Sequence, residues 1–263
     1  MVTEGGEPVL RTMYMCSDTV TGIFSAIYDA WRAGKQEEEC SIVLQGTTEA
    51  ELFCEYVEVE ETQKKAKAVE TLICRYLGRQ AYWDIYHAVL AEDPGKGDAV
   101  FGTMMEARRI SDSRRIMEHL SHPKVEKVFA LSRRVAGEAH TFTGFVRFRE
   151  LVNGVLYAEI EPRSQVLTCI APHFAARLPL ENWMIYDKTH GMFAVHEAGK
   201  QWVLVRGESV DFAGKPGVSE NEKEYEKLWK VFVKSISVES RENPKCRMNH
   251  LPLRYRGNMT EFT

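Results

Sequence analysis

No window of the 263-residue chain reaches the roughly 18 apolar residues that a membrane-spanning helix needs. The opening residues, MVTEGGEPVL, lack a basic segment leading into an apolar one. A protein without a membrane segment or export signal is therefore expected, and the cytoplasm is its default location. Six cysteines (Cys16, Cys40, Cys54, Cys74, Cys169 and Cys246) are scattered, with no pair at metal-ligand or redox spacing. That scatter favours free, buried thiols over disulfides or an iron–sulfur site. No P-loop, dinucleotide fingerprint, nucleophile elbow or zinc-deaminase signature occurs, nor any internal repeat or low-complexity linker. Neither a cofactor nor a metal is expected, and whether the chain is an enzyme stays open.

What is present is an ordinary globular composition, 44% hydrophobic and 27% charged, enough to bury a real core. The net charge of -4 hides an asymmetry: residues 1–62 hold 13 acidic and 3 basic side chains, leaving 25 acidic and 31 basic in the rest. A basic body beside an acidic segment fits a polyanion partner, and it equally fits a solvated surface.

Read in order, Val9 to Cys16 suggests a strand, followed by a helix from Asp18 or Thr19 to Arg32 with Ile23, Phe24, Ile27, Tyr28 and Trp31 at helical spacing. Ser41–Leu44 and Tyr56–Val59 suggest two more strands. Helices are predicted near 63–77, 79–92, 98–119 and 124–140, broken at Gly78, Asp93-Pro94-Gly95 and His122-Pro123. After a hairpin, Ser164–Leu178 suggests a helix interrupted at Pro172, which lacks a backbone donor. Trp183–Asp187, Met192–His196 and Gln201–Arg206 extend an antiparallel sheet, and a last helix at 219–237 carries Tyr225, Leu228, Trp229, Phe232 and Ile236 on one side. The expected class is α+β, a helical bundle in the middle third with an antiparallel sheet built mainly by the C-terminal half and short N-terminal strands. We expect a single domain over 1–263, softly divided at 1–61, 62–140 and 141–263.

The most informative stretch is Thr141 to Glu161, in which two apolar-alternating runs flank Val152-Asn153-Gly154. A two-residue loop sets Phe148 against Glu159 and Arg147 against Ile160, mixing charge and apolar groups on both faces. A three-residue loop with Gly154 left-handed instead pairs Val146 with Ile160 and Phe148 with Ala158. The opposite face then carries Phe145, Arg147, Arg149, Tyr157, Glu159 and Glu161, a charged and aromatic surface.

Other features have two readings. Asp93-Pro94-Gly95-Lys96-Gly97 resembles the phosphate-holding turn of a helix-hairpin-helix unit, but the flanking apolar pattern is missing and a plain interhelical turn is favoured. Gly144–Phe148 matches half of an RNA-recognition strand, while Thr141, Phe142 and Thr143 spoil the other half. Arg108, Arg109, Arg114 and Arg115 do not form one tight stripe, so a solvated face is favoured. His140, His173, His190 and His196 lie in or beside the sheet without metal-ligand spacing.

The segments MYMCSDTVTGIFSAIYDAW, GEAHTFTGFVRFREL, VLYAEIEP, APHFAARLP, ENWMIYD and NPKCRMNHLPLRYRG together resemble, nearly end to end, an uncharacterised bacterial family described as probable DNA metabolism proteins. The resemblance implies a companion, a radical-SAM DNA-modification or repair protein, and a relation to the domain fused ahead of uracil-DNA glycosylase-like proteins. Ending at Thr263, the chain resembles the stand-alone form. The family offers no established catalytic residues. Its motif positions fall here on Gly144, Arg147, Phe148, Glu161, Pro162, Pro172, His173, Phe174, Arg177, Asp187, Arg254 and Tyr255.

Three functional expectations follow. The first is an accessory factor of DNA repair or modification that binds DNA, or a partner already on it, through Phe145, Arg147, Arg149, Tyr157, Arg177 and Arg254. The second is a hydrolase or transferase acting on nucleotides or nucleic acid, with His173 or His140 as base and Glu161 as acid or metal ligand. The third is a protein-interaction scaffold.

Overall fold

The computed structural model describes residues 10–47, 52–206 and 217–236 and, in the tail, 243, 245, 248, 251–257, 259 and 262. Cys246, the polar loop at 207–216 and most of the tail lie outside the described residues. The fold is α+β, and it divides into two compact units, residues 1–136 and 137–263.

In the first unit, β1 (Arg11–Cys16), β2 (Cys40–Leu44) and β3 (Cys54–Glu58) form a parallel sheet in the order β2-β1-β3. The helix α1 (Val20–Arg32) begins where the Thr19 hydroxyl accepts the Gly22 amide at 2.8 Å. It buries Ile23, Phe24 and Ile27 completely or nearly so, each worth roughly 1.5–3 kcal/mol against exposure. Next come α2 (Gln63–Tyr76), capped by Thr62, α3 (Arg79–Leu90) and α4 (Lys96–Ala107); α4 packs with α1 against the sheet, α2 packs on α1, and α3 on α2 and α4.

The α3–α4 connection explains the Asp-Pro-Gly-Lys-Gly run without a ligand. It is a plain turn, the Lys96 amide donating to the Asp93 carbonyl at 3.3 Å. Helix α4 crosses β2 so closely that a Cβ on Gly97 would lie 2.6 Å from Ile42 Cγ2. Asp98 accepts the Ile42 amide at 2.6 Å, occupying a donor on β2. The Lys96 ammonium is 0% exposed, bound to the Ala91 carbonyl at 2.7 Å and to Asp18 at 2.5 Å. The turn's cation is thus turned inward.

The helix predicted over 98–119 is two elements. It stops at Ala107 and restarts as a short 3-10 stretch, Ser113–Glu118, because Asp112 caps the Arg114 amide at 3.1 Å and competes with helix continuation. The four arginines consequently disperse: Arg108 lies over the Trp31 ring, while Arg109 and Arg115 pair with Glu106 and Glu118. Cys16 and Cys40 are buried, Cys54 and Cys169 partly so, and Cys74 is exposed; among the described residues none of the five forms a disulfide. Burial pushes the Cys16 thiol up to about 12 and Cys40 to about 11, so neither is a thiolate nucleophile at neutral pH.

Helix α5 (Pro123–Phe145) runs across the boundary between the units and carries the chain to a five-stranded sheet. That sheet is ordered β4 (Arg149–Glu150), β5 (Leu156–Ile160), β6 (Trp183–Asp187), β7 (Met192–His196), β8 (Val203–Arg206). It is mixed rather than wholly antiparallel. Between β5 and β6 the chain returns through α6 (Leu167–Arg177), and a helical crossover delivers the next strand parallel, Ile160 beside Asp187. Helix α6 passes through Pro172 unbroken, contrary to expectation. Pro172 is exposed and its missing donor costs one bond, which burial of Leu167, Ile170, Ala171 and Phe174 outweighs. Phe148, Phe174 and Trp183 meet edge to face, and Trp183 stacks on His196 at 5.0 Å, forming the aromatic centre of this unit.

Candidate functional site

The hairpin keeps its predicted register but not its length. Arg149 pairs with Tyr157 and Glu150 with Leu156, the register of the three-residue loop, and Gly154 has φ 77°. The strand before the loop is only two residues long, because α5 continues to Phe145. Phe145 and Arg147 therefore do not lie on a strand face. The same finding removes Gly144 and Phe145 from any RNA-recognition strand.

Phe145 ends α5 with its ring 5.7 Å from Tyr255. Arg147 follows the helix and donates to the Gly144 and Val146 carbonyls at 3.0 and 3.3 Å, a cation placed at the negative end of α5. Arg149 pairs with Glu226 at 3.3 Å. Tyr157 is buried, and its hydroxyl donates to Glu159 at 2.9 Å; burial and then that bond raise its pKa further above the usual tyrosine range. Glu161 holds Lys188 at 2.5 Å, which raises the lysine's pKa.

The histidines are engaged separately. His140 and His173 are exposed on α5 and α6, the latter edge-on to Phe174. His190 Nδ1 meets the buried Asp187 carboxylate at 2.6 Å, and His196 Nδ1 meets the Glu181 carbonyl at 2.9 Å. Among the described residues no group of three or more His, Cys, Asp or Glu side chains is arranged to hold a metal. Arg177 is exposed at the end of α6. Arg254, in the helical turn Leu253–Arg256, lies over Tyr255 at 4.6 Å and 3.5 Å from Glu138. That glutamate, almost fully buried, accepts the Arg163 and Ser164 amides at 2.9 and 3.0 Å, fixing the loop between β5 and α6.

Two of the motif positions, Arg147 and Phe148, do come together with a third element. Helix α7 (Glu220–Ile236) is seated on the hairpin by its own N-terminus: the Ser219 hydroxyl caps the Glu222 amide at 3.1 Å, and Glu222 in turn accepts the Glu150 amide at 3.2 Å. The Val152 amide donates to the Gly217 carbonyl at 2.9 Å, so the hairpin loop holds the approach to the helix. The result is a groove of about 680 Å³ lined by Arg147, Phe148, Tyr225, Leu228, Trp229 and Phe232, with Glu222 and Glu226 on its wall.

The α7 residues were legible as a stripe, but their role was not. Tyr225, Leu228, Trp229 and Phe232 are 66%, 58%, 41% and 50% exposed, so the apolar side of α7 faces an open groove rather than a core. Chemically the groove offers flat rings and aliphatic surface with near-zero net charge, since Arg147 and Arg149 balance Glu222 and Glu226. Such a surface can stack or bury a ligand; it does not concentrate phosphate.

No curated protein matches the chain at a meaningful level. Residues 94–261, well over half of the chain, match the model of one family, and the protein accordingly belongs to the family described as a domain of unknown function, DUF4130.

Proposed function

We propose that the protein is an accessory factor of DNA repair or modification that holds unpaired bases in the groove between Arg147–Phe148 and α7. The observation that carries this reading is the convergence of Phe148, Tyr225, Trp229 and Phe232 with one arginine in an open trough. Proteins that hold single strands combine aromatic platforms with a cation, each stacked base contributing roughly 1–3 kcal/mol. Here the stacking component dominates, because the two wall carboxylates offset the cations. A radical-SAM enzyme or a glycosylase-like protein that works on DNA is the kind of companion such a factor would serve.

The balance of charge gives a specific expectation for salt. With one or two phosphate contacts, log K against log[salt] for an oligothymidylate should have a slope of only about -0.7 to -1.4. Trp229→Ala should weaken binding by roughly 5- to 150-fold while leaving that slope unchanged. A steep slope together with indifference to Trp229→Ala would place binding on a phosphate-directed surface elsewhere and end this reading.

A second reading is favoured by Leu228 and Val231, exposed aliphatic residues on α7 that bury area without stacking on bases. In that case α7 docks against an apolar face of the companion protein, and the two proteins co-purify without DNA. The third reading, a hydrolase using His173 or His140 with Glu161, draws no support from the contacts: Glu161 is engaged by Lys188, and among the described residues neither histidine hydrogen-bonds to it.

A further inference from the structure

The first unit contains a second cavity, unrelated to the groove. It measures about 260 Å³ and lies among α1, α2 and α4, with Tyr28, Trp31 and Arg32 on one wall, Ala68 and Leu72 on another and Met104 at the side. In the sequence, the α1 stripe containing Tyr28 and Trp31 looks like core. In the structure Ile23 and Ile27 are buried, but Tyr28 and Trp31 are only half-buried, and the small side chain of Ala68 leaves the space between them and α2 open.

Two cations attend this apolar hollow. Arg32 is one of its lining residues, and the Arg108 guanidinium lies 5.0 Å from the centroid of the Trp31 ring. Neither arginine makes an ion pair among the described residues. The carboxylate next along α1, Asp29, is already held by Lys65 at 2.9 Å. Arg109 and Arg115 of the same unit do pair, with Glu106 and Glu118; what marks Arg32 and Arg108 is their place beside the hollow and the Trp31 ring. Exposed arginines beside an apolar wall, with no acidic partner among the described residues, match a ligand that supplies an anion, since a guanidinium takes a carboxylate in bidentate fashion.

We infer that this cavity binds a small amphipathic carboxylate, its apolar body between Trp31, Leu72 and Met104 and its anionic head at Arg32. At about 30 Å³ per water-sized volume the space holds roughly eight or nine such volumes, a body of about that many heavy atoms. A ligand of this size binds with a Kd on the order of 0.1–1 mM. The chemistry is shared by a medium-chain fatty acid and an aromatic acid, and the two are separable by experiment.

Calorimetric titration of the full-length protein with octanoate, 2-naphthoate and octanol tests the assignment. At least one carboxylate should bind in that range, octanoate alone indicating an alkyl chain and naphthoate alone a flat ring, and octanol should bind at least about fivefold more weakly than octanoate where octanoate binds. Arg32→Gln should weaken carboxylate binding by at least that factor and remove the preference over the alcohol. Ala68→Phe fills the mouth from an exposed position and should abolish binding, whereas Trp229→Ala in the groove of the second unit should leave it intact. Failure of both carboxylates to bind, or binding that survives both Ala68→Phe and Arg32→Gln, would overturn the proposal. Neither result bears on single-strand binding through α7.

Discussion

Asp18→Ala is expected to destabilise the first unit by about 3–5 kcal/mol, a large effect for an exposed loop residue. Asp18 is half exposed, yet its partner is not: the Lys96 side chain is 0% exposed, and with Asp18 gone its ammonium keeps, among the described residues, the Ala91 carbonyl alone. The cost arises from the uncompensated buried charge and not from the lost aspartate contacts. The reverse substitution should therefore be mild. Lys96→Met replaces the buried cation with an apolar chain of similar length and leaves Asp18 to be solvated, at a cost of about 0–2 kcal/mol. Combining the two should give a protein close to Lys96→Met alone, a coupling of about 2 kcal/mol or more. Urea unfolding of the full chain measures all three. Equal, additive losses would mean that the pair acts as an ordinary surface salt bridge, and that the inward-turned Lys96 does not join the α3–α4 turn to the loop after β1.

The second large effect is expected in the other unit, at Glu138. Its carboxylate is the acceptor for two successive amides, Arg163 and Ser164, and Ser164 is itself buried. Glu138→Ala leaves the buried Ser164 amide without a partner, at about 1–3 kcal/mol, and the part-buried Arg163 amide to be met by water at a smaller cost, so a loss of about 1–4 kcal/mol is expected. Glu138→Gln retains one carbonyl acceptor and should lose about half as much. Amide exchange should show why: the Arg163 and Ser164 protons should accelerate far more than those of β5 or α6. The Leu253–Arg256 turn should loosen in part, losing the Arg254 contact while Tyr255 stays packed on Phe142 at 5.0 Å and Phe145 at 5.7 Å. Unchanged stability in Glu138→Ala would show that water replaces the carboxylate and that the loop does not depend on it.

How much of this was legible beforehand depends on whether the determining interactions are local. The hairpin register was, because Gly154 and the alternation around it decide which residues face each other. The extent of the hairpin was not: Thr141, Phe142 and Thr143 have the side chains of a strand, yet they continue α5, where Phe142 packs on Tyr255. Propensity yielded to a contact with a residue more than a hundred positions away. The parallel pairing of β5 and β6 could have been read from the strand–helix–strand order around α6, which requires a crossover. Pro172 misled because a single lost hydrogen bond is a local cost, while the burial that outweighs it is tertiary.

At the candidate site the limits were of another kind. Periodicity located the apolar stripe of α7 and that of α1, but a stripe does not state what covers it. In α1 most of it is core and a remainder borders a cavity; in α7 it lines an open groove. Of the residues expected to bind nucleic acid, Arg147 lines that groove and Arg149 pairs with Glu226 on its wall, while Phe145, Tyr157, Arg177 and Arg254 are engaged or exposed elsewhere. The single-residue separation of Arg147 from Phe148 suggested opposite strand faces. Once the segment is not a strand, that alternation no longer applies, and both side chains reach the same trough.

The most direct measurement is equilibrium binding of an oligothymidylate compared with an abasic strand of the same length and charge. Base stacking in the α7 groove predicts that the abasic strand binds at least about tenfold more weakly, since two or more stacked bases are lost, and that Trp229→Ala narrows this difference. Equal affinity for the two strands, or no binding of the thymidylate at low salt, would contradict the account.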